Sequence, residues 1–110
     1  MKPILRNTAI VFSAMVLSVS SAFAATVYTG DTIDGKKVIN QLDVNDLAPG
    51  QIHKFLFEGV EMGTGQHWYV PVMVARGARP GKRGVLISGV HGDEMSSVHT
   101  VQTVMRQLDP

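Results

Sequence analysis

The chain has 110 residues, of which 10 are basic and 9 acidic, and it contains no cysteine. Without cysteine it can form no disulfide, although an exported protein could use one, and it cannot be a lipid-anchored lipoprotein. The balanced charge argues against a nucleic-acid or anionic-membrane partner.

The first 24 residues predict an export signal. Lys2 and Arg6 supply positive charge, Ile10 to Val19 is an apolar stretch, and Ala22-Phe23-Ala24 offers the small residues that a signal peptidase accepts. We therefore predict cleavage after Ala24 and an exported, periplasmic or secreted, protein. An uncleaved anchor is the alternative, but the apolar stretch is shorter than the ~20 residues of a membrane span.

Removal of the signal leaves residues 25–110 as the mature chain. Because Lys2 and Arg6 are lost, eight basic residues then face nine acidic ones, a net charge of −1. We expect no nucleic-acid partner and no stable membrane span after cleavage. The length suits one small domain with a modest core and is too short for most enzymes built on a large parallel sheet.

The mature chain opens with two predicted β-hairpins. In the first, a strand at 26–29 ends at Gly30-Asp31, and Asp34-Gly35 turns the chain into a strand at 36–39. A polar loop at 43–50 follows.

The second hairpin has apolar residues leading to Gly59, a reversal at 63–65 and a β-rich strand at 68–75. Pro71 cannot donate a ladder hydrogen bond, so it should lie on an edge strand or near the start of a strand. We expect Trp68 and its neighbour Tyr69 to pack in the core of this β layer; flanking a binding surface is the alternative.

The last third predicts a strand followed by a helix. A surface turn at 77–84 carries Pro80-Gly81, which suits the centre of a type II turn. The run Val85-Leu86-Ile87-Ser88 is apolar without alternation, which is typical of a strand covered on both faces in a parallel or mixed sheet. A helix from Met95 to Leu108 places one apolar stripe at Met95, Val98, Val101, Met105 and Leu108. The order of elements indicates the opening of an α/β domain.

A histidine and a glutamate lie between that strand and that helix. Imidazole nitrogen and carboxylate oxygen are ordinary zinc ligands, and His91 and Glu94 are three positions apart. Gly89 and Gly92 flank the histidine and let the backbone turn sharply. A hydrogen-bonded loop histidine beside a helix-start carboxylate is the alternative. The position at the carboxyl end of a predicted central strand, where open α/β sheets place their ligands, favours a metal site.

Three segments together resemble a known enzyme family. The stretch from Val70 to Gly77, the turn Pro80-Gly81 and the run from Val85 to Glu94 are similar to the amino-terminal part of the succinylglutamate desuccinylase/aspartoacylase branch of zinc carboxypeptidases. The likeness covers roughly residues 48–108. It implies that His91 and Glu94 are the first two ligands of a Zn²⁺ ion. It also implies an α/β fold with a mixed central sheet and hydrolysis of an amide bond in a small-molecule or peptide-like substrate that carries a carboxylate.

The sequence departs from this family downstream of the motif. The family takes its second histidine, its general-base glutamate and its substrate-binding arginines from far downstream, whereas only His99 and Arg106 lie beyond Glu94 here. Ser96-Ser97 stands where members often have asparagine or glycine. We therefore expect residues 25–110 to be an incomplete amino-terminal part of a zinc hydrolase domain, inactive alone.

Two other interpretations stay open. One is a truncated, non-enzymatic exported domain, marginally stable and prone to self-association because its sheet edges would be exposed. The other is the oxyanion loop of a serine hydrolase, which would need a Gly-x-Ser-x-Gly motif that the sequence lacks.

The remaining histidines and basic residues have structural interpretations. We expect His99 to face solvent on the helix, and His53 and His67 to be partly exposed residues of the second hairpin. A solvated loop accounts for the basic cluster of Arg76, Arg79, Lys82 and Arg83.

Overall fold

The computed structural model describes residues 24–110, which form a four-stranded mixed sheet followed by one helix. The elements are β1 (Val27–Ile33), β2 (Lys36–Gln41), β3 (Gln51–Glu61), β4 (His67–Arg76) and α1 (Met95–Gln107). All of the predicted export signal except Ala24 lies outside the described residues. Within them, no helix has both the length and the apolar character to cross a bilayer.

The first predicted hairpin is present and is longer than expected. β1 and β2 pair antiparallel through a tight turn at Asp34 and Gly35, whose φ angles of 49° and 72° suit a two-residue hairpin turn. The prediction that Gly30 ends the first strand is wrong. The strand continues through Gly30, which has a φ of 98°, and the pairing register shifts between Tyr28 and Thr32. The glycine therefore marks a bulge and not a strand end.

The second predicted hairpin is confirmed. β3 and β4 pair antiparallel over most of their length, and the chain reverses through Gly65, which has a φ of 77°. Pro71 pairs with Leu56 on β3. β4 is the last strand in the sheet order, so Pro71 lies on an edge strand as its missing N–H requires.

A parallel pairing of β2 with β3 joins the two hairpins. Their register places Val38 opposite Leu56 and Ile39 opposite Phe57. The connection, residues 42–50, includes a single 3₁₀ turn at Val44–Asp46 that Asp43 caps by accepting a hydrogen bond from the Asn45 N–H.

Arg76 ties this connection to β4. Its guanidinium donates to three backbone carbonyls, those of Val44 (2.7 Å), Asn45 and Leu47. The prediction that Arg76 belongs to a solvated loop is therefore wrong. The residue is half-buried, and it satisfies carbonyl groups that the parallel connection leaves without ladder partners.

A small core lies on one face of the sheet. Its buried members are Ile39, Leu47 and Phe55, and the half-buried Leu42, Phe57, Val72 and Val74 pack against them. The prediction that Trp68 packs in this core is wrong, because its side chain is 66% exposed. β2 pairs with β3 only at residues 55–57, so the outer end of the second hairpin extends past the layer that would cover Trp68. Tyr69 is also exposed.

The predicted strand at 85–88 does not form. These residues lie outside regular secondary structure, and Val85, Leu86 and Ile87 are 84%, 58% and 79% exposed. A strand that is apolar on both faces needs ladder partners and covering layers, and no strand among residues 24–110 pairs with this run. The preceding type II turn is also absent, since Gly81 lacks the positive φ that this turn requires.

The predicted helix is confirmed to within one residue at its carboxyl end. α1 lies against β4, and its stripe residues Val98, Val101 and Met105 are half-buried, whereas Met95 and Leu108 are exposed. The described chain thus contains a mixed sheet and a helix. Its relation to a zinc-carboxypeptidase-like fold stays a prediction.

Candidate metal site

His91 and Glu94 lie in the loop that enters α1. Glu94 is the N-cap of the helix, with φ and ψ of −85° and 46°. Its side chain makes no capping hydrogen bond. The Glu94 N–H donates to the carbonyl of His91 at 3.2 Å, which folds the intervening residues into a turn. The Glu94 carboxylate is therefore free of the helix terminus.

The two predicted ligands converge. Nδ1 of His91 lies 2.9 Å from Oε1 of Glu94. Both groups face solvent, with the side chains of His91 and Glu94 75% and 42% exposed. One of the two flanking glycines has the predicted special backbone, because Gly89 has a φ of 69° and Gly92 has no positive φ.

The spacing of these two atoms is close to that of two ligands of one metal ion. Two atoms bound to one tetrahedral zinc, each at ~2.0–2.1 Å, are about 3.3 Å apart. At 2.9 Å the two atoms are instead in direct hydrogen-bond contact, so sharing an ion would require them to separate by a few tenths of an ångström, Nδ1 to lose its proton and both lone pairs to turn toward the metal. Neutral imidazole and carboxylate also form a donor set that zinc accepts. The structure thus brings the two predicted ligands together, and their binding of zinc stays a prediction.

The described residues supply no third ligand. Between residues 24 and 110, no group of three or more His, Cys, Asp or Glu side chains could hold a metal ion. His99 is exposed on α1, as predicted. Arg106 is exposed in the last turn and donates to Thr103, so it does not reach the His91 loop through any hydrogen bond in this part of the chain.

The hairpin histidines are partly exposed, as predicted. Nε2 of His53 lies 2.9 Å from the carbonyl of Ala48. Nδ1 of His67 lies 3.2 Å from Oε1 of Glu58 and 3.3 Å from the carbonyl of Gly59. The His67–Glu58 pair was not predicted from the sequence, because only the β3–β4 register brings the two residues together across the hairpin.

The rest of the basic cluster is a solvated loop, as predicted. Arg79, Lys82 and Arg83 are exposed, and the Arg83 guanidinium donates to Oδ1 of Asn45 at 2.8 Å. That contact fixes the 77–84 loop to the connection between β2 and β3.

No protein-family model, curated protein or solved structure matches the chain. The resemblance to zinc carboxypeptidases therefore depends on the motif and its lead-in, and the assignment of His91 and Glu94 as ligands stays a prediction.

Proposed function

We propose that residues 25–110 are the amino-terminal part of an exported zinc-dependent hydrolase that cleaves an amide bond. One observation carries the proposal: Nδ1 of His91 and Oε1 of Glu94 approach to 2.9 Å at the entrance of α1. An isolated His-x-x-Glu is common in sequences, but the convergence of both donor atoms on one point is what a metal requires.

Each residue has a defined task in this proposal. His91 and Glu94 hold the zinc, which when bound polarises the substrate carbonyl and activates water for hydrolysis. The backbone hydrogen bond from the Glu94 N–H to the His91 carbonyl keeps the two residues' backbones close. The expected substrate is a small-molecule or peptide-like N-acyl compound with a carboxylate.

The 110-residue chain alone should bind zinc without catalysing hydrolysis. The described residues provide two ligands, and the solvent exposure of both leaves no enclosed site in which charge on the reacting group could be stabilised. The third ligand, the general base and the substrate-binding arginines would come from other segments.

Zinc titration of the full chain tests the ligands. Calorimetry should show zinc binding by the wild type, its loss in His91→Ala, and its retention in His99→Ala, a matched control on the exposed face of α1. Equal binding by the wild type and His91→Ala would remove His91 from the site.

Nitrogen-15 NMR of the imidazole side chain shows which ring nitrogen of His91 binds zinc. In the contact with the Glu94 carboxylate, Nδ1 of His91 is the donor; if Nδ1 binds the metal, the imidazole should carry its proton on Nε2 once zinc is added. A proton retained on Nδ1 would instead make Glu94 an orienting partner of a histidine that binds through Nε2, as carboxylates behind zinc ligands commonly are.

A non-enzymatic exported domain is the second candidate, and the 75% exposure of His91 favours it. It predicts no saturable zinc binding by the wild type. Zinc-dependent hydrolysis of an N-acyl amino acid by the chain alone would contradict this second candidate and also the expectation that the chain alone is inactive.

A further inference from the structure

The convergence of His91 and Glu94 needs a cause outside the two side chains. Both are exposed, and the run from Val85 to Glu94 has no ladder partner in the described sheet, so neither core packing nor β pairing holds them. A loop of this kind is expected to sample many conformations, in most of which the donors separate. Some other group must close it.

The side chain of Ser97 joins the two ends of the loop. Its hydroxyl donates to the carbonyl of Glu94 at 2.8 Å and accepts the N–H of Gly89 at 3.3 Å. Gly89 precedes His91 and Glu94 comes after it, so one hydroxyl bridges the residues on either side of the histidine.

Packing supports the same closure. A Cβ built on Gly89 would lie 2.8 Å from Cγ2 of Val98, the neighbour of Ser97. The backbone at Gly89 therefore lies directly on the first turn of α1, at a φ of 69° that suits glycine.

Ser97 also contacts the backbone of Glu94, the residue whose carboxylate faces His91. The N-cap carbonyl of Glu94 accepts from the Ser97 hydroxyl as well as from the N–H groups of Ser97 and Val98. These bonds fix the N-cap through its backbone, while the N-cap side chain makes no capping bond and instead meets His91.

We propose that Ser97 is a positioning residue that closes the loop from Gly89 to Glu94 and thereby sets the two metal donors together. The inference rests on the proposed zinc site for its function, but the closure itself is a property of the metal-free chain.

The test compares Ser97→Ala with Ser97→Thr and with Ser96→Ala in the full chain. Ser96 is exposed, and its backbone carbonyl accepts a hydrogen bond from the Thr100 hydroxyl. Among the described hydrogen bonds its own hydroxyl makes none, so Ser96→Ala is a matched control. Ser97→Ala should accelerate exchange of the Gly89 amide and weaken zinc binding on the order of tenfold, as loss of an outer-shell partner does. Ser97→Thr, which keeps a hydroxyl, should restore both, and Ser96→Ala should change neither.

The outcomes separate this inference from the proposed function. If His91→Ala abolishes zinc binding but Ser97→Ala leaves zinc binding and Gly89 exchange as in the wild type, the zinc site stands and the role of Ser97 is refuted. If the wild type binds no zinc, the proposed function fails along with the metal-positioning role of Ser97. Gly89 exchange then decides whether Ser97 closes the loop. Failure of Ser97→Thr to rescue would show that the hydroxyl is not the cause.

Discussion

Gly89 and Gly92 flank the same histidine but differ in backbone conformation and in the space around their Cα atoms. Gly89 has a φ of 69° and contacts Val98, whereas Gly92 has no positive φ, and a Cβ there would meet nothing within 4 Å. We expect Gly89→Ala to lower the free energy of unfolding by about 1–2 kcal/mol, the cost of a left-handed backbone for an L-residue.

Gly92→Ala is the matched control and should stay within about 0.5 kcal/mol of the wild type. Urea denaturation measures both, and amide exchange at Ser97 and Val98 reports whether the damage is local to the helix entrance. Equal effects of the two substitutions would show that the backbone at Gly89 carries no special constraint.

At the residue scale, the sequence predicted the pair of His91 and Glu94, whose side chains the structure brings together, but not the contacts around them. His91 and Glu94 could be named because a histidine and a glutamate at a predicted loop–helix junction are recognisable zinc donors. Ser97 could not, because serine is common in the first turn of a helix and its two hydrogen bonds depend on where Gly89 lies. The role of Arg76 could not be predicted from the sequence either, because the carbonyl groups that accept its hydrogen bonds are about 30 positions away in the chain.

The hairpin of β3 and β4 is the element most sensitive to a single added methyl group. A Cβ on Gly59 would lie 2.8 Å from the backbone oxygen of Trp68, which cannot move without shifting β4. Gly59→Ala should therefore cost roughly 1–3 kcal/mol, as overpacking against fixed atoms does.

Gly63, near the tip of the same hairpin, provides the comparison. A Cβ there would meet nothing within 4 Å, and its φ is not positive. Thermal denaturation should show a lower midpoint for Gly59→Ala and little change for Gly63→Ala. An unchanged midpoint for Gly59→Ala would mean that the strands separate locally without loss of stability.

At the scale of elements, local signals were sufficient for the hairpins and the helix. Asp34-Gly35 and the glycines around Thr64 encode turns, and apolar spacing encodes α1. The strand at 85–88 was predicted from composition alone, and composition does not say whether a ladder partner exists. The parallel pairing of β2 with β3 had no local signal, because it joins residues from different hairpins.

The described chain buries little and exposes an apolar run. Val38, Ile39, Leu47 and Phe55 are its buried hydrophobic residues, whereas the run at 85–87 is open to solvent. Exposed contiguous apolar surface promotes association. We expect the full chain to self-associate as its concentration rises, as measured by sedimentation or light scattering.

Lysine substitutions test the origin of that association. Leu86→Lys combined with Ile87→Lys should reduce the mean mass of the particles in solution. Both side chains face solvent, so the lysines place charge on the apolar run through which the chains would associate. Thr64→Lys combined with Gln66→Lys, at two exposed positions of the hairpin tip, adds the same two charges and controls for charge alone. A wild type that stays monomeric at high concentration, with a sharp cooperative melt, would contradict the prediction.

The parallel pairing of β2 with β3 also bears on the order in which the sheet assembles. Each hairpin closes over a short turn and can form within microseconds, whereas the parallel pairing must wait until residues 42–50 have ordered. Refolding should therefore proceed by docking of two preformed ribbons, with the amides of β2 and β3 at residues 37–39 and 55–57 among the last to gain protection. The Arg76 guanidinium donates to backbone carbonyls of that connection, so its hydrogen bonds should form in this final step and stabilise the ordered connection.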